Sequence, residues 1–140
     1  MNWRHAVNRT MGALNRRLYR ATGGKVGGSF KGAPVLLLTT TGRRSGKPRT
    51  NPLLYLRDGE ALAVVASEGG APRHPAWFLN LKANPGVEVE IGRERLRLRA
   101  REATGEERDR LWPRLLELYP PYGDYQRRTE RQIPVVLLEP

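Results

Sequence analysis

The chain has 140 residues, 39% hydrophobic and 28% charged, which suits one globular unit with a modest core and excludes a disordered tail or membrane-spanning helices. It has no cysteine, so disulfides, thiolate nucleophiles and cysteine-held metals are excluded. Its two histidines, His5 and His74, lie far apart and offer little to a zinc site or a serine–histidine triad. The N-terminus has no uninterrupted apolar stretch of the kind a secretory signal needs.

The net charge is +11 and unevenly spread: residues 1–57 hold 12 Lys or Arg and no acid, whereas residues 58–140 hold 13 basic and 14 acidic residues. A one-sided field of this kind attracts anions, whether nucleic acid, anionic lipid or a phosphorylated small molecule.

Residues 2–21 read as a helix. Trp3, Val7, Met11, Leu14 and Leu18 recur at spacings of three and four, with arginines on the other faces. Two fates are open to it: docking on the rest of the fold, or lying on an anionic membrane surface. Gly23-Gly24 ends it, and residues 23–32 form a glycine-rich linker.

Pro34 to Thr41 is a β-branched apolar run that predicts a buried strand. Gly42 to Pro48 is a tight turn, and Arg49 to Leu56 the return strand, with Pro52 at an edge or bulge. Asp58-Gly59 marks a hairpin into a third strand, Ala61 to Ser67. After the loop at Gly69–Pro72, Pro75 to Ala83 predicts a short helix. Val87, Val89 and Ile91 alternate with acids, and Leu96, Leu98 and Ala100 with arginines. That is a hairpin with one wet face, where Glu–Arg pairs can cross. Thr104-Gly105-Glu106-Glu107 reads as a capping box. Pro113 is expected to kink or restart the helix that follows. Pro120 to Gln132 predicts a further helix and Ile133 to Leu138 a last strand. This order lacks the regular strand–helix alternation of a Rossmann sheet and fits a closed or split antiparallel barrel. The division predicted is residues 1–32 as helix and linker and residues 33–140 as the barrel.

Arg43, Arg44, Lys47 and Arg49 put four cations within seven residues of one turn. Gly42 and Gly46 allow tight backbone geometry there. Exposed amides, the guanidinium groups and the Ser45 and Thr50 hydroxyls would together clamp a phosphate. The spacing is not that of a P-loop, and no G-x-G-x-x-G follows a strand. A solvated basic hairpin tip is the plainer alternative. No aromatics are interleaved with these cations, which argues against single-stranded nucleic acid. Tyr119, Tyr122 and Tyr125 suit either a wall over a planar ring or ordinary packing.

Several words of the sequence, taken in order, resemble the deazaflavin-dependent nitroreductase family of actinobacteria. They are L-T-T-x-G-R-x-S-G-x-P-R-x-N-P-L at 38–53, A-S-x-G-G-A at 66–71, N-L-K-A-N-P at 80–85, A-T-x-E-E-R at 103–108, Y-P-x-Y-x-D-Y at 119–125 and R-x-I-P-V-V at 131–136. The resemblance implies a mainly β fold with helices: an FMN-binding-like split β-barrel of six or so antiparallel strands, an N-terminal amphipathic helix and C-terminal helices. It implies coenzyme F-420, an 8-hydroxy-5-deazaflavin with a phospholactyl-oligoglutamate tail, as cofactor. Carried over by position, Arg43, Arg44, Ser45 and Arg49 would hold phosphate and tail. Thr50, Asn51, Pro52, Leu53 and Leu54, with Val65, Ala66, Ser67 and Glu68, would line the deazaflavin. Ala76, Trp77, Phe78, Leu79 and Asn80 would close its site. Tyr119, Tyr122 and Tyr125 would form the substrate wall, with Leu54 beside it and Ser67 near the reacting face. Tyr122 and Ser67 are the candidate catalytic residues. Two positions depart from the family: Glu68 stands where members often carry Lys, and Leu54 where a relative can carry Tyr.

The activity implied is hydride transfer from the reduced coenzyme to a quinone, enone or nitroaromatic, with a Tyr hydroxyl or a water supplying the proton. Alternatives are an FMN-binding split-barrel protein and a basic module for nucleic acid or membrane surfaces. The implied home is the cytoplasm, with peripheral membrane contact through residues 1–20 where the quinone is a lipid.

Overall fold

A computed structural model describes residues 16–140. Trp3, His5, Val7, Met11, Leu14 and the predicted start of the first helix lie outside the described residues. Eight strands and four helices follow: α1 (residues 16–22), β1 (Ser29–Phe30), β2 (Ala33–Thr41), β3 (Pro48–Leu54), β4 (Leu56–Asp58), β5 (Ala61–Val65), α2 (Ala76–Ala83), β6 (Gly86–Ile91), β7 (Glu94–Ala103), α3 (Gly105–Leu118), α4 (Pro121–Arg127) and β8 (Val135–Glu139). All pairings are antiparallel, in the order β1-β2-β6-β7-β8-β5-β4, with β3 on the free side of β2.

The barrel is split where the sequence predicts one continuous strand, Arg49 to Leu56. Leu54 pairs with Val35 of β2, but Leu56 pairs with Ala63 of β5. The chain changes partner at Tyr55, whose amide turns to the Pro34 carbonyl at 3.2 Å and whose ring is buried. Pro52 lies on β3, which pairs only with β2, so its missing N–H breaks no second ladder.

Both faces of the sheet are covered, which is why the strands are continuously apolar. Leu36, Leu38, Leu62, Val64, Val136 and Leu138 point inward with Trp77, Phe78 and Leu81 of α2. Ala63, Val65, Val135 and Leu137 face Leu111 and Leu115 of α3 and Tyr122 of α4. Val35 and Leu37 lie under Tyr19.

That last contact corrects the helical stripe. Leu18 is exposed and Tyr19 buried, because the Tyr19 hydroxyl bonds the Val35 and Glu90 carbonyls at 3.1 and 3.2 Å and accepts the Gly92 amide at 2.8 Å. Arg20 adds a 2.9 Å pair with Glu90. The hairpin face expected to be wet is therefore covered at Glu90, whose cross-strand partner Arg95 lies farther away at 3.8 Å. The described end of α1 docks on the barrel.

Two helix expectations also change. Thr104 caps α3 without a side-chain bond, and the Glu107 carboxylate, which a capping box would turn back to the Thr104 amide, is held instead by Arg101 at 2.6 and 2.8 Å. The helix runs unbroken through Pro113, where the proline and Asp109, whose carbonyl it frees, are both exposed to water. The last helix is also shorter than predicted, and residues 128–134 lead irregularly into β8.

Arg110 and Arg114 grip Asp58 at 2.9 and 3.0 Å and tie α3 to the β4–β5 turn. The hydrogen bond from Arg110, then that from Arg114, holds the Asp58 carboxyl at about 2, below its usual 3.8. The pKa is lower folded than unfolded, so the stabilisation is complete above about pH 4 and drains as pH falls through about 2. The melting temperatures of wild type and Asp58→Asn should therefore converge over that interval. A gap that stays constant would contradict the pairing.

Candidate functional site

One cleft, with three lobes, runs along β3 between the cationic turn and the tyrosines. Asn51 and Glu68 line all three lobes. The clamp lobe, about 680 Å³, has Arg16, Arg43, Arg44, Ser45, Arg49, Thr50, Ala76, Trp77 and Asn80 on its walls. The aromatic lobe, about 340 Å³, is bounded by Phe30, Pro52, Leu53, Leu54, Val65, Ser67, Trp77, Tyr119, Tyr122 and Tyr125. The larger space thus lies beside the cations and the smaller, ring-sized one beside the tyrosines. Leu79 reaches the third lobe, with Arg73, His74 and Arg131.

The clamp is built from side chains more than amides. Within the turn, the Gly42 amide bonds the Lys47 carbonyl and the Gly46 amide the Gly42 carbonyl, each at 2.8 Å. The Arg43 amide is taken by Asn80 Oδ1 at 3.1 Å and the Lys47 amide by Ser45 Oγ at 3.2 Å. Among the described residues, only the Arg44 and Ser45 amides of the turn find no partner. The expected amide cradle is therefore mostly closed, while the Ser45 proton and the guanidinium groups remain available. A Cβ at Gly42 would sit 2.6 Å from Ser45 Oγ and 3.2 Å from the Lys47 carbonyl oxygen, so a larger residue there would displace the Ser45 side chain. Thr50 shares a 2.8 Å bond with Thr39.

Buried Asn80 orients the clamp. Its Oδ1 accepts from the Arg43 side chain as well as the Arg43 amide, and its Nδ2 donates to Thr40 at 3.3 Å. One α2 residue thus ties the end of β2 to the turn. No salt bridge among the described residues involves Arg43, Arg44, Lys47 or Arg49, and residues 1–15 contain no acid that could supply one. In contrast, Lys82, Arg101, Arg110, Arg114 and Arg127 all have carboxylate partners. The turn thus presents four cations in seven residues with no carboxylate partner among the described residues.

At the other end, Tyr119 and Tyr122 pack edge to face with centroids 4.9 Å apart. The Tyr119 and Tyr125 hydroxyls are 3.3 Å apart. Tyr122 is buried, and burial, with Tyr119 and Tyr125 adding, pushes its phenol above the usual value. Its proton therefore stays on at neutral pH.

Two predicted residues do not reach the cleft. Ala66 and Phe78 are core residues, and the Phe78 ring packs on His74 at 4.9 Å between centroids. The alternation of β5 turns Ala66 inward, whereas Val65 faces the tyrosines. Several cleft residues, Arg73 among them, escaped the sequence reading. Phe30 stacks at 6.1 Å on Tyr119, and Arg16 overhangs the clamp. Arg131 stands in the quoted word at 131–136 but received no role there. It donates to the Ala71, Ala66 and Ser67 carbonyls at 2.9, 3.2 and 2.8 Å and to His74 Nδ1 at 3.1 Å. Arginine only donates, so His74 Nδ1 accepts. Burial and then Arg131 lower the His74 pKa and keep the ring neutral.

The sequence profile of the family described as F420H(2)-dependent quinone reductase matches residues 12–140. The chain belongs to that family. It is 46% identical over 129 residues to an F420H(2)-dependent quinone reductase of Mycobacterium tuberculosis, covering 89% of this chain and 87% of the relative. A solved structure described as an F420-H2 dependent reductase is 48% identical, with a TM-score of 0.70, covering 76% of this chain and 94% of that one. HutZ of Vibrio cholerae, described as a heme storage protein, is only 17% identical but superposes with a TM-score of 0.58 over 76% of this chain and 80% of its own, which shows a shared fold.

The residues present fit coenzyme F-420. Unpaired, exposed guanidinium groups beside the larger lobe suit its anionic tail, and an aromatic lobe joined to it suits a planar ring.

Proposed function

We infer that this chain reduces a quinone with coenzyme F-420, and the observation that carries the reading is the continuity of an unneutralised cationic lobe with an aromatic one. Arg43, Arg44 and Arg49 hold the phosphate and the acidic tail, Arg43 pre-set by Asn80. Thr50, Asn51, Pro52 and Leu53 on β3, Val65 at the end of β5 and Ser67 and Glu68 beyond it flank the ring, and Ala76 and Trp77 close it from α2. Leu54, Tyr119 and Tyr125 bound the acceptor.

When bound, the reduced coenzyme supplies the hydride. The chain aligns the acceptor against Phe30 and the three tyrosines that line the lobe. The acceptor gains two electrons with the hydride, and its oxygen then needs a proton. The Tyr122 hydroxyl holds that proton, since its raised pKa excludes a resting phenolate. Ser67 lies on the same wall, where its hydroxyl steers the acceptor oxygen.

Among the described residues no helix is long and apolar enough to cross a membrane. The same reading places the protein in the cytoplasm, touching the inner membrane face through the segment ahead of Tyr19 when the quinone is a lipid, since Tyr19 and Arg20 are committed to the barrel. It takes residues 33–140 as the body of the cofactor-binding unit, which Arg16, Tyr19 and Phe30 of the preceding segment complete.

Tyr122→Phe tests the assignment. Turnover of a soluble quinone by the coenzyme-saturated protein should fall about tenfold or more, while the coenzyme dissociation constant moves less than about twofold, because no clamp contact is lost. A variant that binds coenzyme poorly but turns over normally at saturation would remove Tyr122 from the chemistry.

A further inference from the structure

Glu68 is anomalous in charge and in backbone. The cleft is otherwise cationic, with Arg16, Arg43, Arg44, Arg49, Arg73 and Arg131 on its walls. Glu68 lines every lobe, and among the described residues it is the one charged group on the aromatic lobe. It is exposed and joins no described salt bridge. Its φ is +47°, in the left-handed region, and Gly69 and Gly70 follow at +63° and +84°. A residue with a Cβ is strained there, and glycine would not be.

The strained segment is pinned on both sides. Arg131 holds the Ala66, Ser67 and Ala71 carbonyls that flank it. Gly70 is packed so closely on α4 that a Cβ would lie 2.8 Å from the Tyr125 carbonyl oxygen. The carboxylate is therefore stationed at the junction of the cationic and aromatic lobes. The fold draws no ion pair from it and bears strain to keep it. Strain concentrated at a cleft is a mark of function.

A negative charge on the wall of a pocket repels an entering anion and leaves a neutral molecule unaffected, with solvent at the exposed carboxylate reducing the repulsion without cancelling it. The neighbouring Arg131 guanidinium is directed at backbone carbonyls, and Lys31 and Arg128 lie against the Phe30 and Tyr125 rings at 5.6 and 5.7 Å from the centroids without lining the lobe. We propose that Glu68 is the charge-selecting residue of the acceptor lobe: its carboxylate admits neutral quinones and turns away quinones bearing an acidic group. This rests on the reading that the aromatic lobe receives the quinone.

The test uses the full chain saturated with oxidised coenzyme, so that no turnover enters. Dissociation constants are measured by calorimetry for a 1,4-naphthoquinone and for the same ring bearing a sulfonate. Wild type should prefer the neutral ring by about tenfold. Glu68→Gln and Glu68→Gly should each remove most of that preference, and the ratio of kcat/KM for the two quinones should follow. Glu68→Gly also relieves the backbone strain, so a folding defect cannot account for its result. An unchanged preference in both variants would overturn the proposal. So would a change confined to the dissociation constant of the coenzyme. Failure of wild type to bind the coenzyme, or to reduce the neutral quinone, would instead overturn the underlying reading.

Discussion

Replacing Arg49 with alanine should raise the dissociation constant of coenzyme F-420 tenfold or more. A charge-assisted contact to phosphate is worth about 1.5–3 kcal/mol, which corresponds to a factor of ten to a hundred or so. Arg49 is a clean probe because it is exposed and makes no salt bridge among the described residues, so its loss leaves the fold untouched. Arg43→Ala should do at least as much harm, since that guanidinium is already oriented by Asn80 at 3.1 Å and loses little freedom on binding. The double variant should bind about a hundredfold more weakly, and its binding should depend less on salt, because fewer charges remain to be screened. Calorimetry at two ionic strengths reads both effects. Wild-type affinity in the double variant would place the anionic tail elsewhere.

Arg131→Ala should have the largest effect on stability. One guanidinium holds three backbone carbonyls and His74 across residues 66–74. Hydrogen bonds from a charged donor are worth about 1.5–3 kcal/mol each, and removing the donor strands its acceptors. A loss of about 3 kcal/mol is expected, with partial compensation by water because the group is only part-buried. Arg131→Lys should rescue little of this, since an ammonium cannot reproduce the planar fork. The loop carries Ser67 and Glu68, so both lobes should suffer, and acceptor and coenzyme affinities should fall together. Thermal unfolding of the two variants checks the first claim, and titration the second. Full rescue by lysine would mean that charge, not geometry, is what the loop needs.

Much of this was legible in the sequence because composition and spacing carry it. The runs of β2, β5 and β8 are apolar since both faces are covered. The β6–β7 hairpin alternates since one face is not fully covered. The cations of the turn between β2 and β3 are visible as a cluster without acids. The change of partner at Tyr55 was not legible, because Leu53, Leu54, Tyr55 and Leu56 form one apolar word while the ladder passes from β2 to β5. Helical spacing selected Leu18, whereas three hydrogen bonds to distant backbone selected Tyr19. Periodicity does not register such bonds. The turn promised open amides, but their internal partners at Gly42, Lys47, Ser45 and Asn80 depend on folded geometry. A single arginine such as Arg131 gives no sign in one sequence of being a part-buried support for a loop rather than a surface charge.

Titration of the full chain with oxidised coenzyme F-420 at low ionic strength, with FMN as the control, bears most directly on the account. Saturable one-site binding that weakens with added salt and with the loss of Arg49 is the expected result. No binding of F-420, or binding of FMN alone, would contradict it.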